Sequence, residues 1–183
     1  MRLFTALDLP LEVIGRLEQL LRRLKPTARI SWSPVENLHV TTKFIGEWPD
    51  SRLGELKAAL GGLPSRPALP VAIRGVGFRP NAHSPRHFWC GVEAPGLAEL
   101  AADTDRASAG LGVARETHPY SPHLTLARIR DRMDLQPLRE AIASLDSLEF
   151  GNFEAQSWIL YQSTLKPTGS VYTKLAEFPL TKP

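Results

Sequence analysis

The chain has 183 residues, 43% hydrophobic and 22% charged, with a formal net charge of +3 at pH 7 and a pI near 9.2. This composition is typical of a globular protein with one large domain or two small lobes, and its mildly basic charge favours a phosphate-bearing partner. The sequence excludes a helical membrane protein, because no apolar run reaches the roughly 18–20 residues that span a bilayer. An acidic residue and a proline among the first ten residues exclude a signal peptide, so we expect a cytoplasmic location.

The first half of the chain predicts the order strand, helix, strand, helix, strand. Residues 2–8 are predicted as a strand, and Pro10 then suits the first turn of a helix whose apolar positions from Leu11 to Leu24 recur at helical spacing. The remaining elements of this half are a strand over 38–46, a helix over 51–60 and a strand over 69–78.

The second half predicts the same order, after Gly- and Pro-rich loops over 61–70 and 79–86. Its elements are a strand over 87–92, a helix over 97–111, a strand over 122–128, a helix over 134–145, a strand over 150–160 and a last strand over 171–178.

Cys90 is the single cysteine, so an internal disulfide and a cysteine metal cluster are excluded. Its apolar neighbours predict a buried structural thiol.

The two halves repeat with an offset of 84 positions, which relates Phe4 to Phe88 and His39 to His123. We therefore expect an internal duplication within one domain, 1–183, with approximate repeats 1–80 and 86–178. The predicted fold is α+β, with two interleaved lobes related by a pseudo-twofold axis. Each lobe is expected to be an antiparallel sheet flanked by helices, with a cleft between the lobes.

Each half contains one His-x-Thr segment, formed by His39 and Thr41 in the first half and by His123 and Thr125 in the second. Residues i and i+2 of a strand face the same side, so each segment can present an imidazole and a hydroxyl to the cleft. Two histidines on opposite sides of a phosphate can supply the base and the acid of an in-line displacement, and the threonine hydroxyls can donate to its non-bridging oxygens. This arrangement indicates phosphate ester chemistry that needs no metal.

The chain resembles the bacterial RNA 2′,3′-cyclic phosphodiesterases of the two-histidine (2H) phosphoesterase superfamily, which are also known as 2′–5′ RNA ligases. The segments that carry this resemblance are RLFTALDLP at 2–10, ENLHVTTKFIG at 36–46, PHLTLAR at 122–128 and VYTKLAEF at 171–178. Thr42 and Lys174 depart from the family pattern, which has Leu and Pro there, and we expect neither to be at a chemical position.

The resemblance implies a substrate, RNA or a nucleotide, that ends in a 2′,3′-cyclic phosphate, and water that opens the ring to leave a 2′-phosphate. It implies that His39 donates a proton to the 3′ oxygen and that His123 accepts the proton of the attacking water. The residues themselves leave those two roles exchangeable, because the predicted pseudo-symmetry makes the histidines equivalent.

The resemblance also implies that Arg128 binds phosphate, a task that suits the guanidinium fork. On a regular strand Arg128 faces away from His123 and Thr125, so the prediction requires a twist, a bulge or a side chain that reaches round the strand end. Phe44 occupies the matching position of the first repeat, and either stacks on a base or packs in the core.

Other functions remain open on the sequence. One is 2′–5′ RNA ligation, which is the reverse chemistry, and another is a non-catalytic module that binds RNA ends. We expect no cofactor and no metal, since Pro85 lies between His83 and His87 and no third ligand is near in the sequence. No membrane or obligate protein partner is indicated, a monomer is expected, and the sequence leaves open whether ATP binds.

Overall fold

The computed structural model describes residues 1–180, which form strands, four α-helices and short 3-10 turns. The strands are β1 (Arg2–Leu7), β2 (Ser31–Trp32), β3 (Val40–Glu47), β4 (Leu69–Arg79), β5 (His87–Glu93), β6 (His123–Arg128), β7 (Glu149–Ala155), β8 (Ser157–Lys166) and β9 (Gly169–Pro179). The helices are α1 (Leu11–Leu24), α2 (Leu53–Gly61), α3 (Leu97–Ala109) and α4 (Gln136–Ala143). None of these helices is long and apolar enough to cross a membrane.

The strands form two antiparallel sheets. Sheet A has the order β3-β1-β8-β9, and sheet B has the order β2-β6-β5-β4-β7. Helices flank both sheets, so the expected α+β architecture is confirmed. Each sheet combines strands from both halves of the chain: β4 pairs with β5 and β7 in sheet B, while β8 pairs with β1 in sheet A.

One hydrophobic core joins the sheets and the helices. It contains Leu3 and Leu7 of sheet A, Ile73 and Phe88 of sheet B, and the inner face of α1. The periodicity of α1 is explained by this face, on which Val13, Leu17, Leu20, Leu21 and Leu24 are buried. Burying each such side chain contributes about 1.5–3 kcal/mol. Leu11, predicted on the same stripe, is 85% exposed at the first helical position, where no neighbouring element covers it.

The predicted strand over 150–160 is wrong, because the chain changes sheets within it. Residues 149–155 form β7 at the edge of sheet B, and residues from Ser157 onward form β8 inside sheet A. Gln156 alone separates them, and its carbonyl accepts a hydrogen bond from Leu180 N at 2.8 Å. The crossing lacks Gly and Pro, so no local signal marks it. The two-residue strand β2 and the 3-10 turns on either side of it were also not predicted.

A buried ion pair ties sheet A to the segment that follows α3. Lys43 of β3 is 3% exposed, and its Nζ lies 3.0 Å from Asp105 Oδ1 on α3. The same ammonium donates to the carbonyl of Ala114 at 2.9 Å and to Glu116 Oε1 at 3.0 Å. Asp105 also accepts from Arg115 Nε. A buried charge is tolerated only with such partners, so this network links β3 firmly to the chain that leads into β6.

Candidate active site

The two His-x-Thr segments lie on adjoining edges of the two sheets. β3 is the edge strand of sheet A, and β6 has only the two-residue β2 outside it in sheet B. Cα atoms of β3 and β6 approach within 8 Å. Tyr120, just before β6, donates its hydroxyl proton to the carbonyl of Thr41 at 2.7 Å. The topology therefore brings the segments from the two halves of the chain next to each other, where the edges of the two sheets meet. We refer to the surface between the two segments as the cleft.

His39 immediately precedes β3 and is enclosed by aromatic rings. Its ring stacks on Phe4 at 4.8 Å between centroids and meets the edge of Tyr172 at 5.2 Å. Its Nε2 lies 3.1 Å from Thr41 Oγ1, so the histidine and the threonine of the motif are in contact. Burial lowers the pKa of His39 to about 4, against the raising effects of a hydrogen bond with the Asn37 backbone and of the Asp8 charge. The imidazole is therefore neutral at pH 7.

His123 opens β6 and is more accessible than His39. Its Nδ1 lies 2.8 Å from the carbonyl oxygen of Ser121, so in the neutral ring Nδ1 carries the proton and donates it there. That bond leaves the Nε2 lone pair free to accept a proton. Trp89 of β5 meets the ring edge-on at 6.3 Å between centroids.

A β-bulge places Arg128 on the same face as Thr125. Thr125 is opposite Trp89 and Arg128 is opposite His87, with a register shift between the two pairs that leaves Leu126 as the extra residue. His87 and Trp89 are two positions apart on β5 and share a face, and directly opposite residues of an antiparallel pair do too. The bulge therefore explains how Arg128 can face the same side as Thr125, which a regular strand would not allow.

The same argument places Phe44 on the face of Thr41. Thr41 is opposite Ala6 and Phe44 is opposite Phe4, and a register shift leaves Thr42 as the extra residue. The Phe44 ring is 63% exposed and lies 6.3 Å from the Phe4 ring, so core packing of Phe44 is excluded. Thr42, where the family pattern has Leu, is buried and its hydroxyl lies 2.6 Å from Thr5 Oγ1.

A pocket of about 380 Å³ adjoins His39, and most of its lining was not predicted. Tyr161 and Tyr172 form part of its wall, and the Tyr161 hydroxyl donates to Asp8. Lys174 also lines this pocket and pairs with Asp8 at 2.5 Å. The alternation of β9 puts Tyr172 and Lys174 on one face, but only the pairing of β8 with β1 turns that face toward His39.

Arg79 and His87 of the second sheet lie in a row with the predicted Arg128 and were not predicted as site residues. Arg79, His87 and Arg128 are opposite one another across β4, β5 and β6. The guanidinium of Arg79 lies 4.8 Å above the Trp89 ring and donates to Ser121 Oγ at 2.8 Å. We refer to Arg79, His87 and Arg128 as the cationic row, after its two arginines.

Other candidates lie apart from the cleft or in the interior. Within residues 1–180, no three His, Cys, Asp or Glu side chains are grouped to hold a metal ion. Cys90 is fully buried, as predicted, and burial raises the pKa of its thiol to about 12. His118 is exposed and bonds only locally, its Nδ1 lying 3.0 Å from the hydroxyl of Thr117.

Comparison with known proteins agrees with this geometry. The family model described as "LigT like Phosphoesterase" matches residues 7–89 and again residues 91–172. A protein of Methanocaldococcus jannaschii named RNA 2′,3′-cyclic phosphodiesterase is 32% identical over 97% of this chain and 100% of its own length. A protein of the same name from Thermus thermophilus is 34% identical, over 98% of this chain and 90% of its own.

Solved structures show the same architecture. A crystal structure of a Thermus thermophilus protein superposes with a TM-score of 0.83 at 30% identity, covering 100% of this chain and 99% of that one. The relatives include archaeal as well as bacterial proteins, so the resemblance is not confined to bacterial enzymes as the sequence analysis supposed.

Proposed function

The chain belongs to the LigT-like phosphoesterase family, and from this premise we propose that it hydrolyses 2′,3′-cyclic phosphate ends of RNA or nucleotides to 2′-phosphates without a metal. The observation that carries the proposal is the pair of His-x-Thr segments on adjoining sheet edges, in the first of which His39 contacts Thr41. The names of the relatives from Methanocaldococcus jannaschii and Thermus thermophilus support the same substrate.

In the proposed reaction, His123 takes a proton from water as the water oxygen attacks phosphorus. The bond between phosphorus and O3′ breaks, and His39 protonates O3′, leaving a 2′-phosphate and a free 3′ hydroxyl. The free Nε2 of His123 fits the role of base, because its Nδ1 proton is committed to the Ser121 carbonyl. Each well-placed acid or base is worth roughly 10²–10⁴ in rate.

The role of His39 as acid requires that its imidazole take up a proton from solvent when the substrate binds. Burial keeps this imidazole neutral in the free protein. An anionic phosphate beside the ring favours the charged form and raises the pKa, as Asp8 already does to a smaller extent. Substrate binding and uptake of a proton are therefore coupled in this proposal.

Thr41, Thr125 and Arg128 would hold the non-bridging oxygens of the phosphate. The Thr41 hydroxyl contacts His39 in the free chain, and it would exchange that contact for a phosphate oxygen. Arg128 is exposed on the same face and adds a charged fork. Losing one such donor typically costs a few kcal/mol of barrier. The exposed ring of Phe44 offers a surface on which a base can stack.

The test is hydrolysis of a nucleoside 2′,3′-cyclic phosphate in EDTA by the parent, His39→Ala and His123→Ala. We expect 2′-phosphate from the parent and losses of at least about 10² in each variant. His118→Ala, which removes an exposed histidine outside the cleft, is the matched control and should retain parental activity. Turnover that persists in both cleft variants, or a 3′-phosphate product, would contradict the mechanism.

Two other functions are distinguished by the same assay. Ligation to a 2′–5′ linkage shares the transition state, but water at about 55 M favours hydrolysis unless a second RNA end is held in place. A module that only binds RNA ends would bind without turnover, and two titrating imidazoles at the site would then have no purpose.

A further inference from the structure

The two walls of the cleft differ in chemistry. On sheet A the face that carries His39 is aromatic, with Phe4, Phe44, Tyr161 and Tyr172. On sheet B the corresponding face carries the cationic row of Arg79, His87 and Arg128. The first wall therefore offers the exposed ring of Phe44 to a base, and the second offers guanidinium groups to phosphates.

The cationic row is continuous across three strands. Arg79 is opposite His87 and His87 is opposite Arg128, so all three side chains leave the same face. Adjacent strands lie about 4.8 Å apart, so the backbone positions of Arg79 and Arg128 are roughly 10 Å apart. Two separate positively charged side chains on one face can each contact a different phosphate. The row is also joined to the site, because Arg79 bonds Ser121, whose carbonyl bonds His123.

No carboxylate neutralises the row among residues 1–180, where the ion pairs of arginine involve Arg16, Arg22, Arg52, Arg66, Arg74, Arg106 and Arg115. Burial lowers the pKa of His87, and Arg128, His123 and Arg79 lower it further, which favours the neutral imidazole. The charge of the row therefore comes from Arg79 and Arg128, and His87 adds a hydrogen-bonding ring between them. Two guanidinium groups without a carboxylate partner in that range favour an anionic ligand.

We propose that Arg79 and His87 form a second phosphate subsite, which binds the phosphodiester on the 5′ side of the nucleotide that carries the cyclic phosphate. Arg128, at the other end of the row, stays with the reacting phosphate. The substrate class is then an oligoribonucleotide rather than a mononucleotide. This inference rests on the proposed function, since it extends the same cleft.

The experiment compares kcat/KM for a nucleoside 2′,3′-cyclic phosphate with that for a short oligoribonucleotide ending in the same group. We expect the parent to prefer the oligonucleotide, and Arg79→Gln with His87→Gln to lower that preference by about tenfold, the usual effect of one lost charge-assisted bond. Arg74→Gln removes one positive charge from the same strand, where Arg74 pairs with Glu93 at 3.3 Å, and should leave the preference at the parental value.

Salt provides a second readout. The logarithm of oligonucleotide affinity should fall with the logarithm of salt concentration, and Arg79→Gln, which removes one positive charge, should reduce that slope by roughly 0.7–1. Equal kcat/KM for the two substrates, an unchanged preference in the double variant, or ATP that competes better than the oligonucleotide at the row would each overturn the inference.

Failure of the subsite can be separated from failure of the proposed function. Binding of an oligoribonucleotide that already ends in a 2′-phosphate needs no turnover, so its affinity for the parent and for Arg79→Gln measures the subsite alone. An Arg79-dependent affinity with no hydrolysis would support the subsite and reject the proposed reaction. Hydrolysis of the mononucleotide, together with an oligoribonucleotide affinity that Arg79→Gln leaves unchanged, would support the proposed reaction and reject the subsite.

Discussion

Phe44 and Arg128 each lie five residues after the histidine of their own segment, and in both strands one bulged residue turns the fifth side chain onto the cleft face. The bulged residues, Thr42 and Leu126, are themselves 84 positions apart. The 84-residue repeat therefore includes the β-bulges as well as the histidines. At equivalent positions, β3 presents the exposed ring of Phe44 and β6 presents the guanidinium of Arg128.

The acid and base roles can be separated with a better leaving group. A nucleoside 2′-phosphate ester of 4-nitrophenol releases a phenolate that needs no proton. Hydrolysis of this ester by His39→Ala should approach the parental rate, whereas His123→Ala should stay at least about 10² slower because the water is still not activated. Release of nitrophenolate is read from its absorbance. Rescue of His123→Ala instead would exchange the two roles.

The low pKa of His39 makes stability depend on pH. Its pKa is about 4 in the fold and near 6.5 in the unfolded chain, so the unfolded state binds more protons between these values. This contribution to stability is complete above pH 6.5 and is lost as the pH falls to about 4. Urea unfolding at about pH 7 and about pH 5 should show a smaller difference in His39→Gln than in the parent. An equal difference would mean that His39 is not desolvated.

Phe44→Ala should weaken substrate binding without weakening the fold. The ring is 63% exposed, so its removal should change the free energy of unfolding by no more than about 0.5 kcal/mol. Loss of one stacking surface is worth about 1–3 kcal/mol, or roughly 5- to 150-fold in KM. Steady-state kinetics and thermal unfolding of the same preparation test both statements. Phe44→Tyr keeps a stacking face and should behave like the parent.

Lys43→Met should be strongly destabilising. The ammonium is buried with Asp105, and removing it leaves a buried carboxylate with fewer partners, at a cost of about 3–5 kcal/mol. Arg22→Met breaks an exposed pair with Glu18 and should cost less than about 1 kcal/mol. Denaturant titration measures both. Similar losses in the two variants would show that the Lys43 pair contributes no more than a surface one.

The thiol of Cys90 should be inert in the native protein. It is fully buried, and burial raises its pKa to about 12, so almost no thiolate exists at pH 7. A thiol reagent such as a maleimide should label the protein only after addition of denaturant, as read by mass spectrometry. Rapid labelling of the folded chain would contradict the burial of β5.

The two His-x-Thr segments could be recognised in the sequence because residue spacing and strand alternation are local properties. His39 immediately precedes β3 and Thr41 lies within it, while His123 and Thr125 lie at the start of β6. The internal duplication stays a prediction, supported by the two separate matches of the family model. Local patterns do not predict which strands pair with each other. Residues such as Tyr172 and Arg79 reach the cleft only through pairings between distant segments, so their places became known from the sheets.

The crossing at Gln156 means that neither half of the polypeptide holds a whole sheet. If the backbone were opened in the loop between β4 and β5, the leading piece would retain β1 and β3 without β8, and the trailing piece would retain β5 and β7 without β4 between them. Each piece lacks a strand that only the other piece can supply. Two such fragments would therefore have to fold by mutual insertion, and the adjoining edges that carry the His-x-Thr segments would form only in the reunited pair.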